Sequence, residues 1–121
     1  MQMVSVTASG KGTVAADLRE AHGVVSRTRG LMFRKALGAG EALDIRPCGS
    51  IHMMFMRFPI DAVFYNKENR VTKVARNVRP WTGIAMGGKG AHGVIEMRAG
   101  SAEAVAPGDL LEFEDMKQGS S

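Results

Sequence analysis

Short runs in which apolar and polar residues alternate follow one another along this chain, separated by glycine, proline, asparagine or aspartate. Alternation with a period of two is typical of a strand buried on one side, and the separating residues are typical of turns. The pattern predicts a strand in residues 3–8, a turn at SGKG, a hairpin partner in TVAADLRE, a short strand in ALDIRPC that Pro47 stops, and a closing strand in LLEFE.

The segment SIHMMFMRF, residues 50–58, departs from this alternation because both of its faces are mostly apolar. We therefore predict a core strand that is covered on each side and ends at Pro59, which has no N–H group to donate. Further strands are predicted in IDAVFYN, RVTKVARNV and HGVIEMRA, and a long Gly-rich loop at residues 80–91. One predicted face of the core strand carries Ile51, Met53 and Phe55, and the other carries His52, Met54, Met56 and Phe58.

The best helix candidate is SRTRGLMFRKAL, residues 26–37, which Ser26 could cap and which Gly30 interrupts. One or two helical turns are expected there, and another turn in GSAEAVAPGD. About eight short strands in a chain of this length favour a mainly β fold, a jelly-roll-like sandwich or barrel with one or two short helices. We expect a single domain over residues 1–114 and a flexible tail at residues 115–121.

Composition places the chain among globular domains, with 45% apolar and 23% charged residues. No apolar run approaches the roughly 18 residues of a membrane helix, so no membrane insertion is expected. The first residues lack the basic start and apolar core of a secretory signal, which favours a cytoplasmic location as written, or export if a signal peptide was removed. The single cysteine, Cys48, excludes an internal disulfide.

The formal charge of +4 makes the surface mildly basic. The stretches RTRGLMFRK and KENRVTKVARNVR could attract phosphates or acidic sugars, or they could be the solvated faces of ordinary elements. Nucleic acid is not favoured as a partner, because aromatic residues make up only 6% of the chain and no base-stacking signature is present. We expect a monomer.

Five motifs follow one another in a familiar order: RGLMFR, FMRFPIDAVFYNKENRV, RPW, VIEMRAG and PGDLLEF. On these motifs the chain is identified as a member of DUF192, also called UPF0127, a family of uncharacterised bacterial and archaeal proteins. The resemblance implies a compact jelly-roll domain, a short helix near RGLMFR and no established activity, and many relatives are predicted to be exported. Relatives often carry Trp-Met-Lys-Asn-Thr before Pro-Leu-Asp, whereas here FMRF joins PID directly, so a site that depends on the Asn-Thr pair does not carry over.

Three kinds of chemistry find little support in the sequence. Cys48, His52 and the nearby methionines are soft ligands suited to Cu(I), but a strand would not bring them to one face, and methionine is a common core filler. The loop GIAMGGKG nearly matches a phosphate loop, yet Gly90 replaces the required hydroxyl and a strand follows instead of a helix. Cys48 as a nucleophile would need a base, and His52 would lie roughly 13 Å away along a strand. We therefore predict no cofactor, no metal ligands and no catalytic residue.

Two carboxylates, Asp61 and Glu96, interrupt apolar strands, where an unpaired charge would be costly. They could form buried ion pairs that fix loop geometry. They could instead belong to a polar pocket at one end of the sandwich, in which two arginines grip an anionic ligand and a tryptophan forms an apolar wall. The predicted ligand-binding residues are Arg29, His52, Arg57, Asp61, Trp81 and Glu96.

These patterns favour a non-enzymatic binding or accessory module that recognises an anionic or carbohydrate-like ligand or a protein partner. The alternative is a metal-assisted, hydrolase-like enzyme that uses His52, Asp61 and Glu96. A purely structural interaction domain is the third hypothesis, and a large exposed apolar patch without a cleft would favour it.

Overall fold

The computed structural model describes residues 4–8, 13–15, 17–21, 41–53 and 56–115. Within these ranges the chain forms ten strands and no helix, which confirms the mainly β fold predicted from the sequence. The helix expected at residues 26–37 lies outside the described residues, and the jelly-roll arrangement stays a prediction. The strands are β1 Val4–Ala8, β2 Thr13–Ala15, β3 Asp17–Ala21, β4 Glu41–Ile45, β5 Ser50–His52, β6 Ile60–Tyr65, β7 Val71–Val78, β8 Ile84–Met86, β9 Gly93–Arg98 and β10 Leu111–Asp115.

Three sheets are present in this part of the chain. A five-stranded sheet has the order β3-β4-β9-β6-β7, and it is antiparallel except where β3 runs parallel to β4. A three-stranded sheet has the order β10-β1-β2, and β5 pairs with β8 alone. The predicted hairpin between β1 and β2 is therefore found, whereas β3 leaves it and joins the larger sheet. No helix in the described ranges is long and apolar enough to span a membrane.

The five-stranded sheet is buried on both faces, because every residue of β6 and all but the last of β9 are buried. Alternate side chains therefore enter two different apolar clusters. The first cluster consists of Leu43, Ile45, Ile51, Met53, Met56, Phe58, Ile60, Ala62, Phe64, Val78, Ala85 and Val94. The second cluster consists of Ala42, Val63, Tyr65, Val71, Ile95, Met97, Ala102, Val105 and Leu111.

The methionine-rich segment belongs to the core as predicted, but the long strand assigned to it is wrong. Strand β5 ends at His52, because the backbone then turns: the Met53 carbonyl accepts hydrogen bonds from the amides of Met56 at 3.0 Å and Trp81 at 2.8 Å. This turn carries Met53, Met56 and Phe58 into the same cluster, although strict alternation would place Met53 on the opposite face.

Strand β8 also differs from the prediction, since it forms inside the expected Gly-rich loop. It pairs antiparallel with β5, with Ile51 opposite Ala85 and His52 opposite Ile84. Ile51 and Ala85 are buried in the first cluster, whereas the residues on the other face of this pair are exposed. The β5–β8 pair, Met53, residues 56–58 and the turn at residues 80–83, which bonds to Met53, therefore form a layer over the first face of the five-stranded sheet. We call it the covering layer.

A glycine at the start of β9 permits the close approach of two polar side chains. Gly93 lies opposite Tyr65 in the sheet, and a Cβ built at Gly93 would lie 2.5 Å from the Tyr65 hydroxyl and 2.7 Å from Cγ of Arg46. These distances are far below van der Waals contact, and Tyr65 is fully buried and unable to withdraw.

We expect Gly93→Ala to lower the free energy of unfolding by about 3 kcal/mol, because the ring of Tyr65 must shift within a packed core. Urea unfolding monitored by circular dichroism measures the change. Gly49→Ala is the matched control, since its Cβ would meet only the Ala91 carbonyl oxygen, at 3.8 Å, and should change stability by less than about 0.5 kcal/mol. Equal losses in the two variants would contradict the steric argument.

Candidate functional site

The carboxylate of Asp61 binds backbone amides and pairs with no arginine of the described residues. It is 1% exposed, and its carboxylate accepts hydrogen bonds from the backbone amides of Asn77 at 2.9 Å, Gly100 at 2.9 Å and Ala102 at 3.0 Å. Three amide donors satisfy the charge, so the buried ion pair that the sequence left open for Asp61 is not formed among the described residues. Its alternate neighbour Val63 and its register partner Met97 lie in the second cluster, so Asp61 faces that side of the sheet.

Arg76 binds the backbone carbonyl groups of the turn whose amides bind Asp61. Its guanidinium donates to the carbonyl oxygens of Ala102 at 3.3 Å, Glu103 at 3.4 Å and Val105. Asp61 thus binds amides of the turn at residues 99–105 while Arg76 binds its carbonyls. The pair fixes the connection between β9 and β10, which is the structural role the sequence left open.

Glu96 lies on the opposite face of the same sheet. Its register partners are Leu43 on β4 and Ala62 on β6, both in the first cluster. The carboxyl is 7% exposed, and burial raises the pKa of Glu96 from 4.5 to about 7. Over the described part of the chain, no hydrogen bond or ion pair to this carboxyl is found. The expectation that Asp61 and Glu96 share one pocket is wrong, because the sheet separates them.

Three other predicted residues gather on the covering layer around Met53. His52 precedes Met53, the Trp81 amide donates to its carbonyl at 2.8 Å, and Arg57 follows the turn that Met56 closes onto the same carbonyl. All three side chains are exposed. The sixth predicted residue, Arg29, lies outside the described residues. The structure therefore divides the predicted set into an exposed group on the covering layer and two carboxylates on opposite faces of the sheet.

Two large apolar side chains that the sequence did not point to, Ile84 and Met86, are exposed as Trp81 is. Trp81 is 56% exposed, Ile84 72% and Met86 59%. Ile84 lies directly opposite His52, and Met86 lies two positions along the same face of β8. We call Trp81, Ile84, Met86 and His52 the exposed patch. The apolar run IAM is long enough for a short strand, but its Gly-rich surroundings predicted a loop.

The two chain segments that carry the exposed patch contain basic residues and no carboxylate. Residues 45–60 and 69–95 contain no aspartate or glutamate, so neither segment of the covering layer offers a carboxylate. Arg57, Arg79 and Lys89 in these segments are exposed. An apolar patch with basic neighbours complements an anionic surface that also carries apolar groups.

A buried polar cluster on the second face was missed by the sequence reasoning. Asp44 is fully buried, accepts a hydrogen bond from the Tyr65 hydroxyl and pairs with Arg46 at 2.7 Å. The Arg46 guanidinium lies 5.6 Å from the centroid of the Phe113 ring, and its Nε is buried without a hydrogen-bond partner among the described residues. The signal was present in ALDIRPC, where an aspartate interrupts an apolar strand as Asp61 does. This cluster links β4 and β6 to β10.

Comparison with known proteins gives a family and a fold. The DUF192 family model, described as an uncharacterised ACR, matches residues 4–113. The UPF0127 protein of Pyrococcus furiosus is 34% identical over 119 residues, which cover 94% of this chain and 99% of that protein.

Two crystal structures are also similar. A protein of unknown function from Novosphingobium aromaticivorans matches with a TM-score of 0.79 and 27% identity, covering 93% of this chain and 86% of that one. A protein from Sinorhizobium meliloti, described as a candidate transcription regulator, matches with a TM-score of 0.78 over 93% of this chain and 92% of that one. At 21% identity the second match shows the fold alone.

Proposed function

This chain belongs to the DUF192 family of uncharacterised proteins, and we propose that it is a non-enzymatic binding module whose exposed patch recognises an acidic segment of a partner protein. The observation that carries the proposal is the exposure of Trp81, Ile84 and Met86 on a layer without carboxylates. Soluble domains seldom leave a tryptophan this open beside two large apolar side chains unless the surface has a partner.

The composition of the patch favours a protein partner over a small ligand. Tryptophan, methionine and arginine are enriched where proteins bind each other, whereas small ligands are held in concave pockets. Here Ile84 and Met86 lie on the outer side of the β5–β8 pair, and Arg57 and Arg79, which come from the same two chain segments, are exposed. Arginine binds carboxylates through two parallel hydrogen bonds, so acidic side chains next to apolar ones would fit this surface.

The geometry argues against the metal-assisted hydrolase. His52 is exposed on the covering layer, Glu96 lies beneath that layer on the first face of the sheet, and Asp61 lies on the second face. A metal site needs three or more ligands that converge on one point. Among the described residues no group of three histidine, cysteine, aspartate or glutamate side chains is suitably placed.

The test is a titration of the 15N-labelled protein with a synthetic peptide in which glutamates alternate with leucines and phenylalanines. We expect saturable shifts at His52, Trp81, Ile84 and Met86, and dissociation constants about ten-fold larger for Trp81→Ala and for Arg57→Ala. Lys73→Ala, which removes an exposed charge from β7, is the matched control and should bind as the parent does.

Two results would overturn the proposal. A peptide with lysines in place of the glutamates should not bind. If it bound as tightly as the glutamate peptide, charge would play no part in recognition. Sedimentation that shows a dimer, disrupted by Trp81→Ala, would assign the exposed patch to a second copy of this chain.

A further inference from the structure

A cleft of about 430 Å³ lies between the β6–β7 turn and the loop that joins β8 to β9. We propose that this cleft binds the phosphate group of a small phosphomonoester, such as a phosphorylated polyol. The β6–β7 turn precedes β7 and Trp81 follows it, so this site and Trp81 lie at opposite ends of an eight-residue strand. The phosphate site and the partner-binding patch can therefore be tested independently. The lining residues are Asn66, Lys67 and Glu68 from the turn and Gly90, Ala91 and His92 from the loop.

The loop offers backbone donors to an anion. Gly88 and Gly90 adopt left-handed φ angles of 85° and 82°, and nothing lies within 4 Å of a Cβ built at either position. Glycine is required at these positions by the backbone conformation and not by packing. The absence of a side chain leaves the backbone accessible to a ligand. The amides of Lys67, Lys89 and Gly90 have no hydrogen-bond partner within the described ranges. Unpaired amides in such turns form concavities that bind phosphate oxygens.

Both walls of the cleft are held in place before any ligand arrives. The Asn66 side-chain oxygen accepts hydrogen bonds from the amides of Glu68 at 3.0 Å and Arg70 at 2.9 Å. The His92 amide donates to the Tyr65 carbonyl at 2.8 Å, which ties the loop to the end of β6. A site with fixed walls loses little conformational entropy on binding, and this raises affinity for a small ligand.

The side chains define the ligand class. Lys67, the one lysine among the lining residues, is exposed and supplies a positive charge for the phosphate. Glu68 is the one carboxylate among the lining residues, and it would accept hydrogen bonds from hydroxyl groups on the organic part. The volume falls within the range of small-molecule sites. A nucleotide phosphate loop would need a helix after Gly90, whereas β9 follows here.

The probes are inorganic phosphate and glycerol phosphate, each titrated into the 15N-labelled protein at constant ionic strength against sodium chloride. We expect saturable shifts at the amides of Lys67, Lys89, Gly90 and His92, and tighter binding of glycerol phosphate than of inorganic phosphate. Lys67→Ala should raise the dissociation constant about ten-fold, because one charge-assisted contact is lost. Lys73→Ala, an exposed lysine on β7, should leave it unchanged.

Each other outcome contradicts the proposal. Shifts no larger than those produced by chloride would show that no phosphate site exists, and shifts confined to Trp81 and Ile84 would place the anion on the other surface. Equal weakening by Lys67→Ala and Lys73→Ala would indicate diffuse attraction. If glycerol phosphate binds no better than inorganic phosphate, the site is not one for a phosphomonoester.

Discussion

Replacing Asp61 by alanine is expected to lower the free energy of unfolding by about 3–6 kcal/mol. Each of the three backbone amides that loses its hydrogen-bond acceptor costs about 1–3 kcal/mol. The amides belong to Asn77, Gly100 and Ala102, and the Ala102 bond is buried. Since the free energy of unfolding of a small domain is about 5–15 kcal/mol in total, much of the Asp61→Ala population should be unfolded at modest urea concentrations. Urea titration followed by tryptophan fluorescence and circular dichroism measures the loss.

Asp109→Ala is the matched control for this experiment, because the Asp109 carboxylate accepts a hydrogen bond from the amide of Ala106 at 2.9 Å in a half-buried turn. Its expected cost is about 1 kcal/mol. Asp61→Asn should fall between the two alanine variants, since the amide keeps one acceptor oxygen but places a donor against an N–H group. If Asp61→Ala were as stable as Asp109→Ala, the hydrogen bonds to the turn at residues 99–105 would contribute little.

Glu96→Gln is expected to remove a pH dependence and to stabilise the protein above pH 7. Burial raises the pKa of Glu96 to about 7 from 4.5, so the folded state keeps its proton where the unfolded state has lost it. Stability attributable to this group is therefore greatest below pH 4.5, falls as the pH rises towards 7, and levels off above. At 1.36 kcal/mol per pH unit the fall totals about 3 kcal/mol.

The measurement compares the unfolding free energies of the parent and Glu96→Gln from pH 4 to pH 8. Glutamine has nearly the same shape and no charge, so the difference between the two curves isolates the titration of Glu96 from that of other groups. We expect the glutamine variant to gain about 3 kcal/mol relative to the parent across this range. Parallel curves would show that a counter-charge stabilises the ionised carboxyl in the folded protein.

The candidate site could be predicted only in part, and the reasons differ from residue to residue. The cost of an unpaired carboxylate in an apolar strand correctly predicted that Asp61 has partners, but an amide is as good a donor as an arginine, so the partner itself was not predictable. Glu96 has the same sequence signature and no partner in the described residues. The sequence predicts Trp81 as an apolar pocket wall, whereas the structure exposes it on the covering layer.

Local pattern by itself determined the mainly β fold, the burial of the methionine-rich segment and membership of the family, because apolar periodicity and motif order are properties of neighbouring residues. Only the tertiary structure decided which groups share a face. Alternation orders side chains within one strand, but long-range pairing sets the register between strands, and a shift of one residue moves a side chain to the other face. The register that places Asp61 opposite Met97 and Ala62 opposite Glu96 therefore separates the two carboxylates.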